Sequence, residues 1–182
     1  VDCVKLAVNK VFKGKKPDLC VSGINHGLNN SINVIYSGTM SAAVEGAIEN
    51  IPSVGFSLDD YTWDANFEDC KKYIKEICIQ ILKNGLQQGT LLNVNFPNNS
   101  IPIKGIKICR QANAKWAEDF EERQDPYKRN YYWLTGVFQN NDKGEDSDVW
   151  ALENHYVSVV PVQFDMTAHH AIASLNQWTF NV

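Results

Sequence analysis

The residues best suited to chemistry fall in one stretch, where Asn25, Asn29, Asn30 and Asn33 precede Ser37, Gly38 and Thr39. A side-chain amide offers an oxygen that can ligate a hard divalent cation and hydrogens that can bond phosphate oxygens. Loops also favour asparagine for turn geometry, so no single one of the four carries the argument. Ser37 has the position of an N-cap, with Met40, Ala43, Val44, Ala47 and Ile48 following at the spacing of an apolar helical face. A helix start presents unpaired backbone N–H groups and the positive end of the helix dipole, and small residues let an anion approach closely. Ser37-Gly38-Thr39 is therefore a candidate phosphate seat, although a serine before a helix is most often a cap and nothing more. His26 stands in the same stretch, yet a single loop histidine is more often exposed or hydrogen-bonded than catalytic.

The elements that must position these groups read as alternating helices and strands. Val4, Ala7, Val8, Val11 and Phe12 recur at helical spacing, and a breaker follows at Lys13 to Pro17. Residues 18–22 form a short apolar run of the kind a buried parallel strand gives, ended by Gly23, so that 23–36 reads as a polar loop. The helix opened by Ser37 is expected to reach about residue 50. A strand over 53–58, an acidic loop, a helix with Phe67, Cys70, Ile74, Ile77, Cys78 and Ile81 on one face, and strands over 91–96 and 105–109 follow. Such alternation predicts a parallel sheet with right-handed crossovers, in which ligands bind beyond the carboxyl ends of the strands. The loop after Ser22 and the helix start at Ser37 lie at that edge.

Beyond Arg110 the pattern changes. Residues 111–127 are polar and charged, Tyr131-Tyr132-Trp133-Leu134 is aromatic and extended, and 156–162 reads as a strand re-entering the core. We expect a hairpin arm here, with the acidic stretch 140–148 at its tip or return. Aromatic residues on an arm call either for a partner subunit or for packing back on the arm's own core. The chain divides into an α/β core over 1–110 and an arm with its returning strand over 111–182, within one structural domain.

Composition narrows the function classes. With 182 residues and 44% hydrophobic content the chain can close one substantial core. A net charge of -4, with Lys and Arg scattered, lacks the basic stripe that polymeric nucleic acid requires. No apolar run approaches the roughly 20 residues that span a bilayer, so no membrane partner is expected and a cytoplasmic location is. The five cysteines show no CxxC spacing and are expected to be buried free thiols instead of a zinc or redox site. No G-x-G-x-x-G follows a strand, which argues against a dinucleotide enzyme.

Two segments carry a family resemblance: Val21-Ser22-Gly23-Ile24-Asn25-His26-Gly27-Leu28-Asn29, and Ile35-Tyr36-Ser37-Gly38-Thr39-Met40-Ser41-Ala42-Ala43-Val44-Glu45-Gly46. Both resemble the signature of the SurE nucleotidases. Leu92-Asn93-Val94-Asn95-Phe96-Pro97, Gln124-Asp125-Pro126, Tyr156 to Pro161 and Asp165-Met166-Thr167-Ala168-His169 are similar too, so the resemblance covers nearly the whole chain. It implies a Rossmann-like α/β fold with a parallel-sheet core, truncated at its N-terminus, and an extended β-hairpin arm that is swapped in homodimers or homotetramers. It also implies release of phosphate from nucleoside 5'- or 3'-monophosphates with Mn2+ or Mg2+. Asn25 then matches a metal ligand and a catalytic residue. Ser37, Gly38 and Thr39 match the phosphate-binding segment, Ser37 and Thr39 among the catalytic groups, and Asn29 matches a second asparagine near the phosphate.

The family's Asn-Asp-Asp-Gly motif and a further serine would lie upstream of Val1, and Asp59-Asp60 does not occupy the position of its metal pair. The expected mechanism has a divalent ion between those carboxylates and Asn25, polarising the phosphoryl group, while the helix start holds phosphate oxygens. One preorganised donor of that kind is worth about 3 to 4 kcal/mol in the transition state. The alternative, given carboxylates outside this chain, is a non-catalytic nucleotide-binding or assembly module.

Overall fold

The computed structural model describes residues 1–13 and 15–180. Its elements are α1 (Asp2–Leu6), a π-helical turn (Ala7–Val11), β1 (Cys20–His26), a 3-10 helix (Ser31–Tyr36), α2 (Gly38–Ile48), β2 (Ser53–Leu58) and α3 (Glu68–Asn84). They continue with β3 (Thr90–Phe96), β4 (Gly105–Ile108), β5 (Ala114–Gln124), β6 (Asn130–Asn140), α4 (Asp148–Glu153), β7 (Tyr156–Gln163) and α5 (His169–Leu175). The fold is α/β, with a five-stranded sheet in the order β1-β2-β3-β7-β4 and a separate hairpin of β5 and β6.

The sheet is mostly but not wholly parallel. β1 with β2, β2 with β3, and β4 with β7 run parallel, whereas β7 runs antiparallel to β3. The expected α/β fold with its parallel-sheet core and hairpin is present, and the β3–β7 pairing is the antiparallel element within it. A helical crossover favours a parallel next strand, but no helix lies between β3 and β4, so β4 can reverse direction, and β7 runs parallel to β4.

The two faces of the sheet differ in size because of the alternation in β2. Val54, Phe56 and Leu58 point to one face, where they form the main core with Cys70, Ile77 and Ile81 of α3, and Val94 and Phe96 of β3. Each large side chain buried there contributes about 1.5–3 kcal/mol relative to exposure. Ser53, Gly55 and Ser57 point to the other face, and their small size lets α2 approach closely. A Cβ at Gly55 would lie 2.5 Å from Met40 Sδ, and one at Gly46 would lie 2.5 Å from Ser53 Oγ. These two contacts also fix the direction of α2: its start lies over the middle of β2 and its end over the beginning, so the helix N-terminus points toward the carboxyl edge of the strands.

The arm stands apart from this core. β5 and β6 pair from Ala114↔Asn140 to Gln124↔Asn130. The acidic stretch 140–148 forms the return at the arm's root, where Arg110 bonds Asp142 and Asp146. Phe120, Tyr132, Trp133, Leu134 and Val137 are all more than half exposed, so the arm does not fold back on its own core. Cysteine burial also differs from expectation. All five are free, and Cys70 and Cys109 are buried, but Cys20 and Cys78 are only partly covered and Cys3 is exposed, since α1 buries none of its residues. Among the described residues no helix is long and apolar enough to cross a membrane.

Candidate functional site

β1 does not end at Gly23; it runs on to His26, and the change in its course builds the site. Ser22 pairs with Gly55 and Asn25 with Ser57, so three steps along β1 match two along β2. That extra residue is a β-bulge, and it reverses the alternation of every side chain beyond it. Without it Ile24 would face α2 and Asn25 would face α3. With it, Ile24 packs against the main core and Asn25 shares the α2 face with Ser57 at the carboxyl edge. His26 is turned to the α3 side, where its ring meets Phe67 edge-on at 5.1 Å and its Nδ1 lies 3.1 Å from the Thr62 carbonyl oxygen. Gly23 makes the bulge possible, for its φ is +109° and a Cβ would collide with the Phe56 carbonyl.

The Asn25 amide is oriented by its own turn. Its Nδ2 donates to the carbonyl oxygens of His26 and Gly27, both at 2.9 Å. The direction of Oδ1 is thereby set, and that oxygen takes part in no hydrogen bond among the described residues.

Asn29 is held by a buried network of amides. Its backbone N–H donates to Asn95 Oδ1 at 2.8 Å, its Nδ2 donates to Ser57 Oγ at 2.7 Å, and its carbonyl accepts from Asn93 Nδ2 at 2.8 Å. Asn95 Nδ2 donates in turn to Asn93 Oδ1 at 3.0 Å. Asn93 and Asn95 lie on the same face of β3 and are almost wholly buried. Sequence reasoning missed both as site residues. The signal was available: two amides at i and i+2 inside an otherwise apolar strand must share one face and must find partners there.

At the helix start Ser37 is buried and does cap α2, its Oγ accepting from the Met40 N–H at 3.0 Å. Its hydroxyl proton is left to donate elsewhere. Gly38 is exposed, with no atom within 4 Å of where a Cβ would stand, while Thr39 is half-buried and its Cγ2 faces Gly55. Asn25, Asn29 and the start of α2 thus lie at one edge of the sheet on one face, with Ser57 as the common neighbour of the two asparagines. Asn30 and Asn33 instead turn to each other, Asn33 Nδ2 donating to Asn30 Oδ1 at 3.3 Å, and line a cavity of about 370 Å³ with Asp59, Asn98 and Trp116. Burial pushes the Asp59 carboxyl up from its ordinary value, against a hydrogen bond from Asn98 that lowers it.

Such an edge can hold an anion: an open glycine at a capped helix start, a serine hydroxyl, and the second amide proton of Asn29, both Asn25 amide protons being taken by its own turn. It cannot hold a metal alone. Among the described residues no three His, Cys, Asp or Glu side chains are grouped to bind a metal ion, and the oriented Asn25 oxygen is a single amide acceptor.

The family described as "Survival protein SurE" matches residues 1–118. A protein of Flavobacterium psychrophilum named "5'-nucleotidase SurE" is 65% identical over 182 residues, all of this chain and 70% of that protein. The protein of the same name from Cytophaga hutchinsonii is 58% identical over 181 residues, 98% of this chain and 70% of its own length. The crystal structure of a SurE protein from Aquifex aeolicus superposes with a TM-score of 0.81 at 38% identity, covering 96% of this chain and 71% of that one.

Proposed function

The chain belongs to the SurE family, and from that membership we propose that it is a phosphohydrolase acting on nucleoside 5'- or 3'-monophosphates with Mn2+ or Mg2+. The observation that carries the reading is the bulge in β1, which turns Asn25 onto the same face and edge as Asn29 and the open start of α2. In this reading the phosphate lies against the α2 N–H groups, with the Ser37 hydroxyl, the Gly38 backbone and Thr39 as donors. Asn29 adds its remaining amide proton. The buried amides beneath it hold that proton in place before substrate arrives, so none of the binding energy is spent on ordering the loop.

Asn25 Oδ1 fits one position around a divalent ion, and a single amide oxygen does not retain such an ion in water. The other ligands would have to come from outside the described residues, and the work assigned to this chain stops at binding and orienting the phosphate. The exposed aromatic arm supports assembly into a homodimer or homotetramer, and a cytoplasmic location belongs to the same reading.

The test is phosphate release from AMP and GMP, with and without chelator, by a chain of the relatives' full length. Turnover should stop with chelator and fall at least a hundredfold in Asn25→Ala without loss of fold. Parental turnover and metal dependence in Asn25→Ala would defeat the assignment. Nucleotide binding with no turnover in the parent would favour a binding module instead.

A further inference from the structure

The segment that carries Asn29 into Ser37 is not held by the sheet alone. Ser31 is wholly buried, has a left-handed φ of +50°, and opens the 3-10 helix that leads to Ser37. Its partners come from the root of the arm, more than eighty positions later. Ser31 Oγ lies 2.9 Å from the carbonyl oxygens of both Ala112 and Ala114, to which its single proton can donate in turn, and it accepts the Ala114 N–H at 3.2 Å. Two positions on, Asn33 Oδ1 accepts from Trp116 Nε1 at 2.8 Å.

Asp148 closes this junction. Its carboxylate is 1% exposed, and its two oxygens face different segments. Oδ2 accepts the Ser31 N–H at 2.7 Å, while Oδ1 accepts the N–H groups of Ala112 at 3.0 Å and Val149 at 2.8 Å. Its own N–H donates to the Arg110 carbonyl. A buried carboxylate with every partner a backbone N–H acts as a fixed acceptor joining chain segments. A residue that needs a left-handed backbone at the entrance to a helix keeps it only where its surroundings impose it. Here those surroundings are Asp148 and the arm root.

We propose that Asp148 is a positioning residue for the phosphate site: acting through the Ser31 N–H, it sets the course of residues 29–37 and ties that course to the root of the arm. This rests on the reading of Ser37 to Thr39 as the phosphate seat.

The experiment uses the protein at the relatives' full length and inorganic phosphate as the probe. In Asp148→Asn, one oxygen becomes an NH2 that must face an N–H donor on one side or the other. The inhibition constant for phosphate should rise at least tenfold, turnover should fall at least tenfold, and amide exchange should quicken across 29–37 but not in β2 or β3. Arg110→Gln breaks the bonds to Asp142 and Asp146 at the same root without touching the loop. It should lower the melting temperature while leaving the phosphate constant within twofold. If Asp148→Asn does not fold, Trp116→Phe decides, since it removes the bond to Asn33 while keeping a ring against Phe138; a twofold or larger rise supports the proposal and a smaller change overturns it. Parental phosphate affinity in folded Asp148→Asn also overturns it, as does an equal loss in Arg110→Gln. A parent that neither binds phosphate nor releases it from nucleotides sinks the functional reading first, which separates the two failures.

Discussion

Asn95→Ala tests the amide network where its cost can be worked out. Asn95 is wholly buried, accepts the Asn29 N–H through Oδ1, and donates from Nδ2 to Asn93 Oδ1. Truncation leaves one donor and one acceptor without partners in the interior, at about 1–3 kcal/mol each. Water entering the space left behind recovers part of this, so we expect a loss of about 3 kcal/mol, against a total stability of about 5–15 kcal/mol for a domain. Ser57→Ala removes only the acceptor of Asn29 Nδ2 and should cost about 1 kcal/mol. Both substitutions act on the same residue, so the double variant should lose about 1 kcal/mol less than the sum. Urea titration at constant m-value measures all three. A loss below about 1 kcal/mol for Asn95→Ala, or strict additivity with Ser57→Ala, would refute the claim that these side chains cooperate to hold Asn29.

Two further outcomes follow from the geometry. Gly23→Ala places a side chain in a conformation that costs about 1–3 kcal/mol by itself and drives its Cβ into the Phe56 carbonyl. Calorimetry should show a melting temperature lower by roughly 4–8 °C for about 2 kcal/mol, and nucleotide turnover should fall further than the unfolded fraction explains, because the bulge aims Asn25; unchanged turnover would contradict that role. Among the thiols, burial, with Asp69 adding to it, pushes Cys70 up to about 11, whereas Cys3 is exposed. Native maleimide labelling at pH 8 should mark Cys3 and spare Cys70 until unfolding. Because the folded pKa is raised above the unfolded value of about 9, the contribution of Cys70 is complete below pH 9 and is lost as the pH climbs toward 11. Equal labelling rates at Cys3 and Cys70 would show the α3 face to be open.

Much of this was legible in the sequence because it is local. The period of Met40, Ala43 and Ala47, the cap at Ser37 and the apolar run over 53–58 depend on neighbours within a few positions, and the structure reproduces them. The asparagine-rich stretch and the helix start were also visible, as residue types that can bind an anion. What the sequence did not yield depends on register between distant segments. Gly23 reads as the end of a strand, and only pairing with Gly55 and Ser57 reveals it as the bulge that carries β1 on to His26. The antiparallel direction of β7, the short α4 and the carboxylate of Asp148 depend likewise on contacts across more than thirty positions, where periodicity gives no signal.

The distribution of charge around the site gives a physical reason for its many amides. A dianionic phosphate at the start of α2 would be repelled by buried carboxylates beneath it, and that repulsion is least screened in the interior. Asn29, Asn93 and Asn95 satisfy one another as neutral donors and acceptors, so the floor of the site is rigid and carries no charge. The carboxylate that does reach this loop, Asp148, is surrounded by the N–H groups of Ser31, Ala112 and Val149. Their dipoles oppose its negative field. Burial nevertheless pushes its carboxyl up from the ordinary value, which places desolvation above the three hydrogen bonds in the balance. A carboxylate kept at that cost is consistent with a task that an uncharged residue performs less well, namely accepting from two chain segments at once.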